Sequence, residues 1–298
     1  MPDRRLLISF SGGETSAYMT WWVFQNWRDR YDSVRVVFAN TGEENEETLE
    51  FVRDVSMNFN IPVTWIESVI HHGERKAPTH RVVSFDTASR RGEPFEAHIQ
   101  KHGIPNYKFK DCTRNLKRRP IESYARSIGW PNGSYDLAIG IRTDETDRVS
   151  AESAKRRIVY PLAFEHPMTK AKVNAWWEGQ NFRLRLKAYQ GNCRWCWKKS
   201  RRKLLTLVKE TPQVFDFPRR MEKQYAEVGP EFAKERIEGY RRTFFRGNVS
   251  VEGLFAEAAA LPVTFVPASD EAQVFDFDID ASNGCEDSCE VWGLDDPE

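Results

Sequence analysis

The sequence predicts an α/β fold, with a doubly wound, mainly parallel sheet followed by a helical C-terminal region. Two observations in the first part of the chain support this fold class. Short apolar strands alternate with helical patterns, and polar turns follow the strands. Between about residues 200 and 260, apolar residues recur at helical spacing instead. In such a sheet, ligands are expected at the carboxyl ends of the strands.

The first strand and the turn after it form the most informative stretch. Residues 6–8 are an apolar run typical of a buried strand, residues 9–16 read Ser-Phe-Ser-Gly-Gly-Glu-Thr-Ser, and residues 17–30 are predicted to be helical. Glycines let backbone N–H groups approach a ligand, and a helix N-terminus favours negative charge. The turn is therefore either an anion site or a glycine turn capped by Thr15 or Ser16. It lacks the spacing and lysine of a Walker A loop.

The same pattern of strand, polar turn and helix recurs further along the chain. A second strand at 33–40 leads through the turn at 40–45 to a helix at 46–58, and a third strand is expected at 63–66. A fourth strand, at 135–141, is followed by another polar turn at 142–148. We expect these turns to meet at one edge of the sheet.

The segment from residue 68 to about 103 has a weaker pattern and is predicted to be a lid or insertion. It contains His71, His72 and His80, for which a solvated loop is favoured over a metal site because no third ligand stands at ligand spacing. After it, Arg114, Lys117 and Arg118 are expected on one helical face beside Cys112. A new helical turn is expected to begin at residue 120.

The lack of a membrane-spanning run and of a signal-peptide pattern predicts a cytoplasmic protein. No apolar run reaches the roughly 18 residues that span a bilayer, and the chain opens on a strand pattern instead of a signal peptide. The five cysteines are then expected to be metal ligands or redox groups. Cys193 and Cys196 form a Cys-x-x-Cys pair, and the flanking Trp195 and Trp197 either shield a cluster or belong to the core.

The net charge of zero conceals a division along the chain. All 44 Lys and Arg lie before residue 247, whereas 13 of the 44 Asp and Glu lie after it, which leaves residues 1–246 with 31 acidic side chains and a net charge of +13. A body this basic suits a nucleotide or nucleic acid. The acidic tail is either a solvated extension or a segment that folds back onto the basic face.

These stretches together resemble the phosphoadenosine phosphosulfate (PAPS) reductase-like family of the adenine nucleotide alpha-hydrolase, or PP-loop, superfamily, in particular the branch found in phages and DNA phosphorothioation systems. The family's motifs are matched by the loop at 9–16, by Asn40-Thr41-Gly42, by Cys112, Leu116, Lys117 and Pro120, and by Gly140, Arg142 and Glu145. Glu14 and Thr15 stand where the family loop usually has Lys and Asp, which removes a cation that would meet phosphate.

The resemblance implies three regions: a nucleotide-binding α/β domain of PP-loop type at 1–165, a helical region with the Cys-x-x-Cys pair at 166–262, and an acidic, cysteine-containing tail at 263–298. It implies an adenine nucleotide, ATP or PAPS-like, held by Ser9, Ser11, Gly12, Gly13, Thr15, Ser16, Asn40, Thr41, Gly42, Gly140 and Glu145. The catalytic residues that it implies are Cys112, Arg114, Lys117, Arg142 and Cys289.

The resemblance also implies a thiolate metal site of Cys112, Cys193 and Cys196, completed by Cys289 or Cys285, for an iron–sulfur cluster or for zinc. Three functions then compete: a sulfur-handling nucleotide enzyme, namely a PAPS-type reductase or a sulfurtransferase; a nucleic-acid modification factor; and a non-catalytic nucleotide-binding regulator. The expected partners are a small nucleotide, nucleic acid on the basic face and a reductant protein, with no membrane. The expected location is the cytoplasm of a bacterial cell, with the gene carried by a phage.

Overall fold

The computed structural model describes residues 3–191, 193–231, 234 and 238–269. Its centre is a six-stranded sheet in the order β4-β3-β2-β1-β5-β6, in which only the β3–β4 pair is antiparallel. The predicted doubly wound, mainly parallel sheet is therefore confirmed. The strands are β1 (Arg5–Phe10), β2 (Ser33–Asn40), β3 (Val63–Val69), β4 (Thr79–Val83), β5 (Asp136–Ala138) and β6 (Ile158–Val159).

Helices cover the sheet and build the C-terminal region. The predicted helix at 46–58 is found at those bounds, whereas the first helix begins earlier than predicted, at Glu14, directly after the glycine turn. The helices are α1 (Glu14–Asn26), α2 (Glu46–Asn58), α3 (Glu93–His102), α4 (Arg119–Ser127), α5 (Lys170–Glu178), α6 (Arg201–Glu210), α7 (Asp216–Tyr225) and α8 (Val251–Ala259).

Strand alternation places apolar side chains on both faces of the sheet. Leu6 and Ile8 belong to a core that also contains residues of α1, α2 and α5, while Leu7 packs in a second core with residues of α4. Burial on both faces is what near-continuous apolar strands require, because side chains alternate between faces.

A third core lies in the C-terminal region, and the Cys-x-x-Cys segment is part of it. Cys193, Trp195, Cys196 and Trp197 are all buried there with apolar residues of α6, α7 and α8, and with Phe95 of α3. The two tryptophans are therefore core residues, which was one of the two alternatives for them. This core fixes the backbone of the Cys-x-x-Cys loop.

The segment at 68–103, predicted to be a lid or insertion, supplies the edge strand β4 and helix α3. Two of its histidines have structural partners: His71 Nε2 lies 2.9 Å from the Thr79 hydroxyl, and His80 Nδ1 lies 2.9 Å from the Ser123 hydroxyl. Arg114–Arg118 form a π-helix. The α-helical face that was expected for Arg114, Lys117 and Arg118 is therefore altered. Such wider turns are frequent at functional sites.

The end of the described chain packs against the body. The Ala268 backbone N–H donates to the Thr206 hydroxyl at 2.9 Å, and the Lys209 ammonium lies over the Phe265 ring. The rest of the acidic tail, with Cys285 and Cys289, lies outside the described residues. Within the part of the chain that is described, no helix has the length and apolar character needed to cross a membrane.

Candidate functional site

The sheet has a topological switch point beside β1. The chain passes from β1 outward through β2 and β3, and later returns to the other side of β1 as β5. Ligands of open α/β sheets bind in the crevice at such a point, outside the carboxyl ends of the strands. The loop after β1, the turn after β2 and the segment after β5 all begin at this edge.

The loop after β1 is built as predicted, but its hydroxyls also hold the loop together. The Ser16 hydroxyl donates to the Gly13 carbonyl at 3.0 Å, accepts from the Ser11 N–H at 3.2 Å and lies 2.9 Å from the Ser11 hydroxyl. Gly12 has φ +85, where L side chains are strained. The N-cap of α1 is Gly13, which has no side chain to cap the helix, and the N-terminus of a helix favours an anion.

The segment after β5 is clamped onto this loop. A Cβ on Gly140 would lie only 3.2 Å from the Ser16 Cα, so glycine permits the close approach. The buried Arg142 guanidinium donates to the Thr15 hydroxyl at 3.0 Å and pairs with Asp144 at 3.0 Å and Glu145 at 3.3 Å. The structure therefore brings these predicted residues together, with Arg142 braced by protein groups.

The structure reveals a cation at the loop that the sequence interpretation missed. The Arg183 guanidinium forms a two-point ion pair with the Glu14 carboxylate, at 3.0 and 3.2 Å. Glu14 lies in the first turn of α1, where its charge opposes an incoming phosphate. Arg183 neutralises that charge and keeps the loop suited to an anion. An acidic residue in a loop that is predicted to bind an anion indicates, from the sequence, that a cation from another part of the chain offsets its charge.

We expect Arg183→Ala to weaken ATP binding about tenfold, because it leaves the Glu14 carboxylate uncompensated beside the phosphates. Arg185→Ala is the matched control: Arg185 pairs with Glu50 and is more exposed, at 72% against 44% for Arg183. Calorimetry should show an unchanged affinity for the control. The double variant Glu14→Gln with Arg183→Ala should recover most of the loss, and equal losses in both arginine variants would contradict this role.

The turn after β2 is braced internally. The Asn40 side-chain amide donates to the buried Glu67 carboxylate at 2.7 Å and to the Ser89 carbonyl at 2.9 Å, and its oxygen accepts from the Gly42 N–H at 3.1 Å. Asn40 is fully buried, so its side chain has a structural role, and the predicted position of this turn beside the nucleotide stays a prediction. Thr41 likewise donates its hydroxyl to Glu44 at 3.0 Å.

The three cysteines of the described chain line one pocket. It lies beside the turn after β2, from which Thr41 contributes to its lining. Cys193 and Cys196 are each 8% exposed, whereas Cys112 is partly exposed. The pocket is lined by Thr41, Phe95, Cys112, Thr113, Leu116, Lys117, Cys193, Trp195, Cys196, Trp197 and Lys198. The sequence-predicted thiols and Lys117 are therefore brought together.

The metal prediction is only partly met by this pocket. Thiolates within aromatic walls are donors of the type that zinc and iron–sulfur clusters use. Among the residues that the structure describes, however, no group of three or more His, Cys, Asp or Glu side chains is arranged to hold a metal ion. The described thiols alone thus do not form the predicted site, and both candidates for its fourth ligand lie outside the described residues.

Arg114, which was predicted to be catalytic, is not among the residues that line this pocket. It lies near Asp111 and His102, and its catalytic role stays a prediction. His98 is fully buried with its Nε2 atom 3.3 Å from Asp111 Oδ1. Burial, with His98 beside it, lowers the pKa of His102 to about 4. The predicted catalytic residue Cys289 lies beyond the described residues.

Two acidic residues, Glu43 and Glu44, connect the turn after β2 to the Cys-x-x-Cys loop of the pocket. Glu44 pairs with Cys193 in an isolated β-bridge, and the Thr41 hydroxyl lies 3.6 Å from the Cys193 Sγ. Glu43 accepts a hydrogen bond from the Trp195 indole N–H, and burial raises its pKa to about 7 against the opposing effects of Arg194 and Trp195. Two regions of the chain that are distant in sequence thus form one unit.

Comparison with known proteins places this chain beside a phage protein. No family model matches the sequence. The nin region protein ORF290 of Escherichia phage lambda is 30% identical over 293 residues, which cover 96% of this chain and 95% of the phage lambda protein.

Two solved structures show distant similarity. PAPS reductase from Candida auris, in a phosphate complex, aligns with a TM-score of 0.35 and 16% identity over 60% of this chain and 72% of that one. The U34-tRNA thiolase NcsA from Methanococcus maripaludis, with its [4Fe-4S] cluster, aligns with a TM-score of 0.40 and 15% identity over 78% of this chain and 75% of that one. Family membership follows from the sequence match alone: the chain belongs to the same family as the nin region protein ORF290 of phage lambda.

Proposed function

We propose that the chain is an adenine-nucleotide-dependent enzyme of sulfur chemistry, of PAPS reductase-like type within the PP-loop superfamily. One observation carries the proposal: a pocket lined by three cysteines lies at the turn after β2, and β2 is the sheet neighbour of β1, which the glycine loop follows. An anion loop alone suits many nucleotide enzymes, and thiols alone suit many redox proteins. Their adjacency favours a reaction in which a thiol acts on a nucleotide-activated group.

The roles of the residues follow from their positions. The loop at 11–16 would hold the nucleotide's phosphates through its backbone N–H groups, with Arg183 neutralising Glu14 and Arg142 bracing the loop through Thr15. Cys112, the more exposed thiol, would act as the nucleophile, and Lys117 would stabilise the negative charge that develops. Reduction of a sulfonucleotide to sulfite takes two electrons, which a thiol pair supplies when it closes to a disulfide. A reductant protein would then restore the thiols.

A metal remains part of this proposal, as an iron–sulfur cluster or zinc. Cys112, Cys193 and Cys196 would hold it, with Cys289 or Cys285 as the fourth ligand, and the metal would supply redox or structural function there. In that form of the proposal Cys112 is a ligand, and the thiol-pair reduction described above applies to the metal-free protein. Anaerobically purified protein should be brown, with absorption near ~400 nm, if the metal is a cluster. Stoichiometric zinc in a colourless protein would identify zinc instead.

The proposed function is tested by its products. The purified enzyme is incubated with PAPS and a dithiol reductant, and separately with ATP, a sulfur donor and nucleic acid. Sulfite identifies a reductase, and a sulfur-bearing nucleic acid identifies a sulfurtransferase. Nucleotide binding without either product would support a non-catalytic regulator and contradict the proposal. The proposed place of action is the bacterial cytoplasm, since the phage lambda relative belongs to a virus of Escherichia.

The division of charge favours a second candidate, a nucleic-acid modification factor whose basic body docks DNA or RNA. Removal of residues 270–298 deletes 11 acidic residues and no basic ones, so the net charge rises from 0 to +11. It also retains the packing of Phe265 and Ala268. We expect the truncated protein to bind duplex DNA more tightly, with a steeper salt dependence in fluorescence anisotropy. Equal binding by both proteins at low salt would exclude competition by the tail.

A further inference from the structure

We infer that Glu43 is the positioning residue that couples the nucleotide crevice to the thiol pocket. The coupling rests on the proposed function, because it requires a nucleotide in the crevice. The other half of the inference, that Glu43 holds the thiol loop in place, is independent of any ligand.

Glu43 is bonded to the thiol loop through both its main chain and its side chain. Its carbonyl accepts from the Arg194 N–H at 3.0 Å. Its carboxylate accepts from the Trp195 indole N–H, and the Arg194 guanidinium lies 3.4 Å away. The residue is 1% exposed, so water cannot replace these partners. A displacement of this carboxylate would leave buried polar groups unpaired, which is costly.

Trp195 connects Glu43 to the wall of the pocket. It stands between the two cysteines of the loop, is fully buried and lines the pocket. Its ring packs against Phe244 at 4.7 Å and against Phe95 at 5.2 Å between ring centroids. Because the core behind the ring is close-packed, a shift of Glu43 has to be accommodated on the pocket side.

The backbone N–H of Glu43 is bonded within the turn after β2. Its N–H donates to the Thr41 hydroxyl at 3.4 Å, and Thr41 also lines the thiol pocket. Beside it, the Gly92 N–H donates to the Gly42 carbonyl at 2.9 Å. A Cβ at Gly92 would lie 2.7 Å from the Glu43 carboxylate and 2.2 Å from the Phe217 ring. The turn at Gly42 and Glu43 is therefore packed closely against Gly92.

The test measures how fast each pocket cysteine is alkylated, read by peptide mass spectrometry on full-length protein as purified, with and without ATP. In wild type, ATP should change the rates at Cys193 and Cys196. In Glu43→Ala these rates should rise about tenfold without ATP, the factor expected for loss of a hydrogen bond to a charged group. They should then no longer respond to ATP, although calorimetry still shows ATP binding. Glu43→Gln, which keeps an acceptor for Trp195, should restore most of the protection.

Glu50→Ala is the matched control, because Glu50 forms an ion pair with Arg185 and does not line the pocket. Its alkylation rates should equal those of wild type. Unchanged rates in folded Glu43→Ala would overturn the positioning role. An ATP response in Glu43→Ala as large as in wild type, or no response in wild type that binds ATP, would overturn the coupling. No ATP binding by wild type would overturn the coupling and the proposed function together, while the rates without nucleotide would still decide the positioning role.

Discussion

Gly13→Val should abolish nucleotide binding and leave the protein folded. Gly13 is the N-cap of α1, with φ −100 and ψ 161, an extended conformation that any residue adopts. A β-branched side chain there would cover the N–H groups that are expected to meet phosphate. Calorimetry with ATP should show a loss of affinity of at least about 100-fold, equivalent to about 3 kcal/mol. The circular dichroism spectrum should match that of wild type.

Two other glycines separate this effect from a loss of folding. Gly12→Ala should destabilise the protein by about 2 to 4 kcal/mol, from its left-handed backbone and overpacking. At Gly12, a Cβ would lie 2.7 Å from Thr48 Cγ2 and 3.1 Å from the Phe38 ring. Gly179→Val, at the exposed C-cap of α5 with φ −83, should change neither stability nor affinity substantially. Wild-type ATP affinity in folded Gly13→Val would exclude the loop as the phosphate site.

Cys112→Ser should abolish the sulfur chemistry while nucleotide binding persists. The thiolate is the reactive form of cysteine, and a serine hydroxyl in its place is a far weaker nucleophile and metal ligand. We expect the rate of product formation from the nucleotide substrate to fall by at least about 1,000-fold. The affinity for ATP should stay within about threefold of wild type, because the loop after β1 is untouched.

Thr113→Ser is the matched control for this substitution. Thr113 is the next residue in the chain and lines the same pocket, and the change keeps a hydroxyl while removing one methyl group. Its turnover should remain within a few-fold of wild type, since one methyl is a small packing change. Wild-type turnover in Cys112→Ser would remove Cys112 from the mechanism and shift attention to Cys193 and Cys196.

The sequence predicts some parts of this molecule well, for physical reasons that are local. The strand at 33–40 and the helix at 46–58 are found at their predicted bounds because their apolar periods differ clearly. The strand β4 was missed because it is a short antiparallel edge strand whose side chains are half-exposed or exposed. Such a segment has no apolar period, and its place depends on pairing with β3.

Some parts of the candidate site can likewise be predicted from the sequence, whereas others depend on the folded structure. The glycine loop can be predicted because its chemistry lies in consecutive residues. The ion pair between Arg183 and Glu14 joins residues 169 positions apart, and no local sequence pattern predicts it. Asn40 carries a predicted binding motif, yet its amide is used by Glu67 and Ser89, which only the folded arrangement shows. The sequence thus indicates which segments contain candidate binding residues, while tertiary packing determines which of their polar groups remain available to a ligand.

Amide hydrogen exchange with and without ATP reports where the nucleotide binds. We expect slower exchange in ATP for peptides that cover residues 11–16, 40–45 and 140–145, since these segments meet at the switch point. The peptide at 251–259, in α8, should be unaffected. ATP binding by calorimetry with no slowing at residues 11–16, and protection only elsewhere, would contradict the claim that this loop holds the phosphates.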